Sequence, residues 1–224
     1  QRIILQEGLV EIMSERFVRQ LEELHVELIT MGSLCEKAIS LSAKAIQGEG
    51  GMTLIGKIFE TEKEIDSQER EIENLCMKLL LHEHPVAGDL RAISAALKMI
   101  SDMERIGDQS QDIAEIAGFV HSTELAGKVH ISDMANEAIS MVTMSVDSFV
   151  RKDVKLAKAA IEADDKVDAR FLEVKRELIE LVRSDSGDAE YFMDLLMAAK
   201  YLERIADHAT NIAEWVVYSI TGER

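Results

Sequence analysis

Apolar and small side chains recur along this chain in alternating steps of four and three residues. That spacing places them along one face of an α-helix and is typical of helices that pack in bundles. In the first such segment the positions are Phe17, Leu21, Leu24, Leu28, Met31, Cys35, Ala38, Ser42 and Ala45. The segment is therefore predicted to be one long helix, beginning near Ser14, with this face turned to a core.

Two later segments repeat the spacing, and their apolar positions correspond at a constant separation of 99 residues. The earlier segment has Ala96, Ile100, Met103, Gly107, Ser110, Ala114 and Ala117, and the later one has Leu195, Ala199, Leu202, Ala206, Ala209, Ala213 and Val216. Small residues in both segments let a neighbouring helix approach closely, which predicts tight helix packing along each face.

Helix-breaking residues are few, and they divide the chain into six long segments. The breaks fall at glycines 48, 50 and 51, at Pro85, in the stretch 118–127, at Lys152 with Asp153, and in the turn 184–187. Pro85 is predicted to occupy the first position of the third helix, where its missing N–H costs nothing. Three helices precede residue 120 and three follow it. We predict an all-α fold of two tandem, pseudo-symmetric three-helix bundles, at residues 14–120 and 125–221.

Polar residues repeat in the same register as the apolar ones. Segment 104–108 reads ERIGD where segment 203–207 reads ERIAD, and segment 112–115 reads DIAE where segment 211–214 reads NIAE. Chance would seldom match polar and apolar positions together, so the pattern predicts an internal duplication. One proline, 4% aromatic residues and eleven methionines also favour helices over sheets.

The charge balance favours cations and basic protein surfaces as partners. Forty-two acidic residues against twenty-five basic ones give a formal net charge of −17, which repels nucleic acids and anionic lipids. No run of about 18 apolar residues is present to span a bilayer, and the first residues lack the order of a signal peptide. Cys35 and Cys76 lie in apolar helical sequence, which predicts buried free thiols and a reducing cytoplasm.

Carboxylates four residues apart recur on four of the predicted helices, and they are the candidate metal ligands. The pairs are Glu62 with Asp66, Glu104 with Asp108, Asp164 with Asp168, and Glu203 with Asp207, and one further step of four adds Asp112 and Asn211. Residues four apart share a helix face, so each set forms a ridge of oxygens, and two ridges can face each other in an antiparallel bundle. Like charges at this spacing cost about 0.2–0.5 kcal/mol per pair, which a cation bridging several oxygens would offset. Hard cations such as Mg²⁺, Mn²⁺, Ca²⁺ and Fe³⁺ suit such sites, and the alternative is that the ridges are solvated helix faces.

Other site chemistry finds little support in the sequence. Glu22 with His25 is the one Glu-x-x-His spacing, and a di-iron oxidase needs that spacing on two helices, so His25 is interpreted as a helix-surface or boundary histidine. His208 could reach a metal or face solvent, and the pair His82 and His84 is interpreted as structural. No glycine-rich phosphate loop, nucleophile elbow or cysteine-rich metal motif is present.

Two longer motifs resemble those of a known family. Residues 85–91 read PVAGDLR, residues 102–108 read DMERIGD and residues 200–214 read KYLERIADHATNIAE. They resemble the signatures of the PhoU family of phosphate-uptake regulators, and the likeness covers about residues 16–220. One ligand position departs from the family pattern, since Asp112 stands where the first repeat usually has Asn, which is a chemically mild change.

The resemblance implies a PhoU-like fold and a function without catalysis. The family's Glu/Asp-x-x-x-Asp motifs are associated with surface metal clusters, which implies that the ridge residues named above, with Asp112 and Asn211 as extra ligands, bind iron, manganese, magnesium or zinc. It further implies a cytoplasmic negative regulator, peripheral at the inner face of the cell membrane and expected to be a homodimer. The implied partners are the ATPase subunit of a phosphate ABC transporter and a membrane sensor kinase, with phosphate-starvation genes suppressed when phosphate is ample.

Three alternatives stay open at this point. Because the chain begins with Gln1 and about a dozen residues precede the family pattern, it could be part of a longer protein, including the PhoU-like regulatory tail of a phosphate transporter. A carboxylate-bridged metallohydrolase or oxidase would show turnover that depends on added metal. A purely structural helical scaffold would hold no metal tightly and would bind its partners independently of the ridges.

Overall fold

Six α-helices fill the described part of the chain, and no strand occurs within it. The structure is a computed structural model that describes residues 2–82, 85–118, 129–184 and 189–223, with the backbone alone described at residues 2–14 and 82. The helices are α1 (Arg2–Ile46), α2 (Gly51–His82), α3 (Ala87–Ala117), α4 (Ile131–Arg151), α5 (Val154–Ser184) and α6 (Ala189–Thr221). None of these described helices combines the length and the apolar character needed to cross a lipid bilayer. The predicted all-α fold of six long helices is confirmed.

The α1–α2 and α4–α5 turns use backbone in the left-handed region, where breaks were predicted. Gly50 has a φ of 70°, a conformation that glycine adopts without steric cost. Lys152 closes α4 with a φ of 52°. Asp153 then caps α5, because its Oδ1 accepts the N–H groups of Lys155 and Leu156 at 2.9 and 3.1 Å. The breaks predicted at these two turns are confirmed.

Two predicted helix starts are wrong. α1 begins at Arg2 instead of near Ser14. The residues before Ser14 favour a helix apart from Gly8, and one glycine costs a helix only about 1 kcal/mol. α3 begins at Ala87, so Pro85 does not occupy its first position. Val86 is extended, with φ −75° and ψ 167°, and it serves as the N-cap. The predictions that fall outside the described residues concern the breaks within 119–127 and 185–187 and the side chains of His82 and His84.

The helices of each half pack against one another, and the two halves share one core. α1, α2 and α3 contact each other in pairs, as do α4, α5 and α6, while the most extensive contact of all joins α3 to α6. Every apolar position of the two segments separated by 99 residues is buried, as are those of the first segment from Leu24 onward. The three predicted apolar faces are therefore confirmed. The bundle boundaries at 14–120 and 125–221 stay a prediction, since residues 119–128 lie outside the described chain.

Glycines mark two close approaches between helices. A Cβ on Gly107 of α3 would lie 3.1 Å from Cδ1 of Ile65 on α2. A Cβ on Gly32 of α1 would lie 3.1 Å from Cγ2 of Val146 on α4. The missing side chains therefore let α2 approach α3 within the first half and let α1 approach α4 between the halves.

Candidate metal-binding surface

The packing of α2 on α3 brings two of the predicted ridges together in the first half. Partial burial raises the pKa of Glu62 most, followed by the charges of Asp66 on the same helix and Asp108 on α3. The pKa of Asp108 is raised by partial burial and by Asp66. A carboxylate of α3 thus acts on one of α2, and a carboxylate of α2 acts on one of α3. The two ridges therefore face each other, as the sequence predicted. We name the group of Glu62, Asp66, Glu69, Glu104 and Asp108 the first carboxylate site.

Glu69 belongs to the first carboxylate site although the four-residue spacing did not select it. Partial burial raises the pKa of Glu104, and the charges of Asp108, Glu69 and Asp66 raise it further. Glu69 also accepts a hydrogen bond from Oγ of Ser101 on α3 at 3.4 Å. It lies three residues after Asp66, so it shares that helix face through the other helical step. A search for three-residue as well as four-residue steps would have found it.

α5 and α6 repeat this arrangement in the second half. Partial burial raises the pKa of Asp164, followed by the charges of Asp207 on α6 and Asp168 on α5. Partial burial also raises the pKa of Asp207, where Glu203 and Asp168 act in the same direction and Lys200 opposes them. We name the group of Asp164, Asp168, Glu203 and Asp207 the second carboxylate site. The duplication predicted from sequence therefore extends to the facing of acidic ridges.

The two extra predicted ligands lie toward the contact between α3 and α6. Asn211 donates through Nδ2 to Oδ1 of Asp102 at 3.3 Å, and the same oxygen lies 2.9 Å from Nδ1 of His208. His208 therefore pairs with Asp102 in place of facing solvent, and its predicted reach to a metal stays a prediction. The pKa of Tyr201 on α6 is raised by burial first and then by the charge of Asp112. The 99-residue separation relates Asp102 to Tyr201 and Asp112 to Asn211, so the pair Asp102 and Asn211 has the pair Tyr201 and Asp112 as its pseudo-symmetric counterpart.

The ridge oxygens do not gather at one point. Among the described residues, the one group of three His, Cys or carboxylate donors within 4.8 Å of one another is His130, Glu173 and Glu177, outside both carboxylate sites. Repulsion between like charges favours this spread of the ridges. A cation such as Mg²⁺ or Ca²⁺ binds oxygens at about 2.0–2.6 Å, so it would draw the carboxylates inward. Each site is a pair of facing acidic helix faces whose carboxylates do not converge on one point.

Few basic side chains offset these carboxylates. Arg70 lies 4.0 Å from Asp66, and Lys200 pairs with Glu203. The members that form no ion pair within the described part of the chain are Glu62, Glu69, Glu104, Asp108, Asp164, Asp168 and Asp207. Both sites therefore keep an excess of negative charge, which hard cations neutralise well.

The structure also shows the surroundings of His25 and of the two cysteines. His25 is half-buried, and its ring meets the ring of Phe149 edge-on with centroids 5.7 Å apart. The interpretation as a boundary histidine is confirmed. Cys35 and Cys76 are buried and free, as predicted. Burial raises the pKa of Cys76 to about 12, so this thiol stays protonated and unreactive.

The chain is similar to known proteins along most of its length. A PhoU domain model matches twice, over residues 28–117 and 131–216. The phosphate-specific transport system accessory protein PhoU homolog of Clostridium acetobutylicum is 34% identical over 215 residues, covering 93% of this chain and 95% of that protein. The crystal structure of PhoU from Pseudomonas aeruginosa has a TM-score of 0.81 and 30% identity, covering 92% of this chain and 100% of that one. The crystal structure of the phosphate transport system regulatory protein PhoU from Streptococcus pneumoniae has a TM-score of 0.79 and 24% identity, covering 92% and 98%, and shares the fold.

These similarities agree with the internal repeat. One domain match falls on α1 to α3 and the other on α4 to α6. The motifs at 102–108 and 200–214, which carry the resemblance in sequence, lie inside the matched residues. The chain therefore belongs to the PhoU family.

Proposed function

We propose that the protein is a metal-binding accessory regulator of phosphate uptake. Family membership supports this, since the relative from C. acetobutylicum is named an accessory protein of a phosphate-specific transport system. In this proposal the protein acts as a negative regulator, links a phosphate ABC transporter to a membrane sensor kinase and carries out no catalysis. Phosphate-starvation genes are then suppressed while phosphate is ample.

The meeting of two acidic ridges in each half carries the metal-binding part of the proposal. The charge of Asp108 on α3 raises the pKa of Glu62 on α2, and Asp207 on α6 acts in the same way on Asp164 of α5. A cation between the ridges would remove this repulsion and fix the spacing of the two helices. The ligands would be Glu62, Asp66, Glu104 and Asp108 with Asp112 in one half, and Asp164, Asp168, Glu203 and Asp207 with Asn211 in the other. Iron, manganese, magnesium and zinc are the candidate ions.

The acidic surface supports docking to basic surfaces of partner proteins. A net charge of −17 attracts such surfaces over a distance and speeds association, an effect that salt weakens. The proposed partners are the transporter's ATPase subunit and the sensor kinase. The protein would work as a homodimer in the cytoplasm, at the inner face of the membrane.

Metal content tests the first part of the proposal. Protein purified without chelator or metal resin is compared by elemental analysis with the Glu104→Ala/Asp108→Ala and Glu203→Ala/Asp207→Ala variants. Each double variant is expected to lose about half of the bound metal, because each removes ligands from one of two sites. Wild-type protein that stays metal-free after Mn, Mg or Fe has been supplied would contradict metal binding.

A matched control separates a site from general acidity. Glu60 and Glu64 are also four residues apart on α2, but both are exposed and neither belongs to the first carboxylate site. The Glu60→Ala/Glu64→Ala variant removes the same charge and is expected to keep the wild-type metal content. Equal losses in this variant and in Glu104→Ala/Asp108→Ala would mean that metal is held by diffuse charge.

Partner binding tests the regulatory part separately. Immobilised protein is incubated with solubilised membranes, and recovery of the transporter ATPase subunit and the sensor kinase is measured. A reporter of phosphate-starvation genes, in cells lacking the protein, is expected to be active even when phosphate is ample. A protein that recovers neither partner, and whose loss leaves the reporter silent, is not this regulator, whatever its metal content.

A further inference from the structure

One group of potential metal ligands lies away from both carboxylate sites. It consists of His130, directly before α4, and of Glu173 and Glu177, one turn apart on α5. One ligand atom from each side chain lies within 4.8 Å of the other two. The group therefore joins an imidazole nitrogen and two carboxylate oxygens from two different elements.

Neighbouring contacts orient the donors of this group. Glu177 accepts the backbone N–H of His130 through Oε2 at 3.2 Å, while its Oε1 pairs with Nδ1 of the ring. Oε2 of Glu173 accepts from Arg170 at 2.6 Å, and Arg170 also lies 3.5 Å from Glu137. Oε1 of Glu173 is thus left for a ligand. The Arg170 contact is an outer contact of the kind that holds a metal-binding side chain in position before the ion arrives, whereas the His130 to Glu177 pair joins two of the candidate ligands directly.

We propose that His130, Glu173 and Glu177 form a binding site for a first-row divalent transition metal such as Zn²⁺. One imidazole with two carboxylates is a donor set that zinc accepts, and three protein ligands leave the fourth tetrahedral position to water. Bonds of about 2.0–2.2 Å require the donors of one zinc ion to lie within about 4 Å of one another. Small side-chain rotations therefore complete the site.

This site stands apart from the duplicated pattern. Glu62 of α2 corresponds to Asp164 of α5 at a separation of 102 residues. At the same separation, the position in the first half that corresponds to Glu177 is occupied by Leu75. The first half therefore lacks one of the two carboxylates. A nitrogen donor also sets this chemistry apart from the oxygen-rich carboxylate sites, which suit harder ions. The inference thus goes beyond the proposed function, and a metal here would tie the start of α4 to α5.

Zinc binding observed at the His130 ring tests the proposal. Protein labelled with ¹³C-histidine is titrated with ZnCl₂ in excess MgCl₂, which occupies oxygen-only sites, and the ring signals are followed by NMR. The His130 signals, assigned by their loss in His130→Gln, are expected to shift and to saturate at one equivalent. Glu177→Gln is expected to weaken zinc binding by about tenfold or more, because it removes a ligand. Glu180→Gln removes the same charge from an exposed position of α5, and it is expected to leave the affinity unchanged.

Three results would overturn the site. The first is a ZnCl₂ titration without binding, and the second is a set of His130 signals that stay fixed while zinc binds elsewhere. The third is an equal loss of affinity in Glu177→Gln and Glu180→Gln, which long-range charge alone would produce. If Glu177→Gln does not fold, a calorimetric zinc titration of His130→Gln replaces it, and the same loss of affinity is expected. His130 is half-exposed and precedes α4, so this variant is expected to fold. Because these variants leave both carboxylate sites intact, failure here is distinguishable from failure of the proposed function.

Discussion

Six carboxylates of the two acidic sites carry their charge at a cost in free energy, since the pKa of each is raised: Glu62, Glu69, Glu104, Asp108, Asp164 and Asp207. At Asp108, partial burial and the charge of Asp66 both raise the pKa, and Arg105 opposes them only in part. Repulsion of this kind weakens the metal-free fold, and a bound cation would offset it. Metal binding and stability are then linked, because a ligand that binds only the folded state stabilises that state.

Neutralising one ridge is expected to stabilise the metal-free protein. Glu104→Gln/Asp108→Asn should raise the free energy of unfolding by about 0.5 kcal/mol, since like charges four apart cost about 0.2–0.5 kcal/mol and α2 adds more. The wild type is expected to gain Tm when Mn²⁺ is added, and the variant is expected to lose part of that gain. Thermal unfolding with chelator and with Mn²⁺ measures both effects, and Glu60→Gln/Glu64→Gln is the control. A variant that is less stable than the wild type in chelator would argue against stored repulsion.

His25 is expected to make stability depend on pH. Burial, followed by the charge of Lys152, lowers its pKa below the ordinary 6.5, while Glu22 opposes the shift. The folded protein thus binds this proton less readily than the unfolded chain. The stability that His25 contributes is therefore full above pH 6.5 and is lost as pH falls toward the lower folded pKa.

The His25→Gln variant isolates this contribution, because glutamine does not titrate. Urea unfolding of both proteins at about pH 7.5 and about pH 5.5 measures the change. On acidification the wild type is expected to lose stability relative to the variant. A difference in unfolding free energy that is the same at both pH values would show that the ring has an equal pKa in the folded and unfolded states.

Local spacing predicted the ridge residues, but contacts between distant segments could not be predicted from it. Glu104 and Asp108 stand four apart, and that step alone puts them on one helix face. The hydrogen bond of Asp102 to Asn211 depends on how α3 crosses α6, and no short motif encodes that crossing. The meeting of His130 with Glu177 has the same origin, since it brings the start of one helix to the last third of another.

At the scale of helices, the boundaries that local turn chemistry sets were predictable. Glycines end α1, and the pair Lys152 and Asp153 both closes α4 and opens α5. The start of α3 was not predictable in this way, because it depends on the extended conformation of Val86. The facing of α2 with α3 followed from the antiparallel arrangement of three consecutive helices, once their apolar faces were known.

The cap of α5 is expected to contribute measurable stability. Asp153→Ala removes the acceptor of two backbone N–H groups and should lower the free energy of unfolding by about 1 kcal/mol. Asp153→Asn keeps a side-chain oxygen at the same place and should cost much less. Urea unfolding compares the two variants. Equal losses would assign the stabilisation to the negative charge and not to the cap.

In the whole molecule, the helices that join the two halves also line the two carboxylate sites. α3 carries two of the five residues of the first site, α6 carries two of the four of the second, and these two helices share the most extensive contact in the fold. The hydrogen bond from Asn211 to Asp102 joins these two helices, and the charge of Asp112 on α3 acts, after burial, on the pKa of Tyr201 on α6. A cation bound between α2 and α3, as proposed, would therefore also fix the surface on which α6 packs.

The two halves are expected to unfold together. Their buried residues form one core that draws on all six helices, so neither half can lose its helices without exposing the other's apolar surface. Hydrogen exchange followed by mass spectrometry in increasing urea should show peptides of α2 and α5 losing protection at one concentration. Asp102→Ala leaves His208 and Asn211 without their acceptor and should cost about 1–2 kcal/mol, lowering that concentration equally for both peptides. If α5 lost protection before α2, the contact of α3 with α6 would be weaker than the packing inside each bundle, and the repeats would be independent folding units.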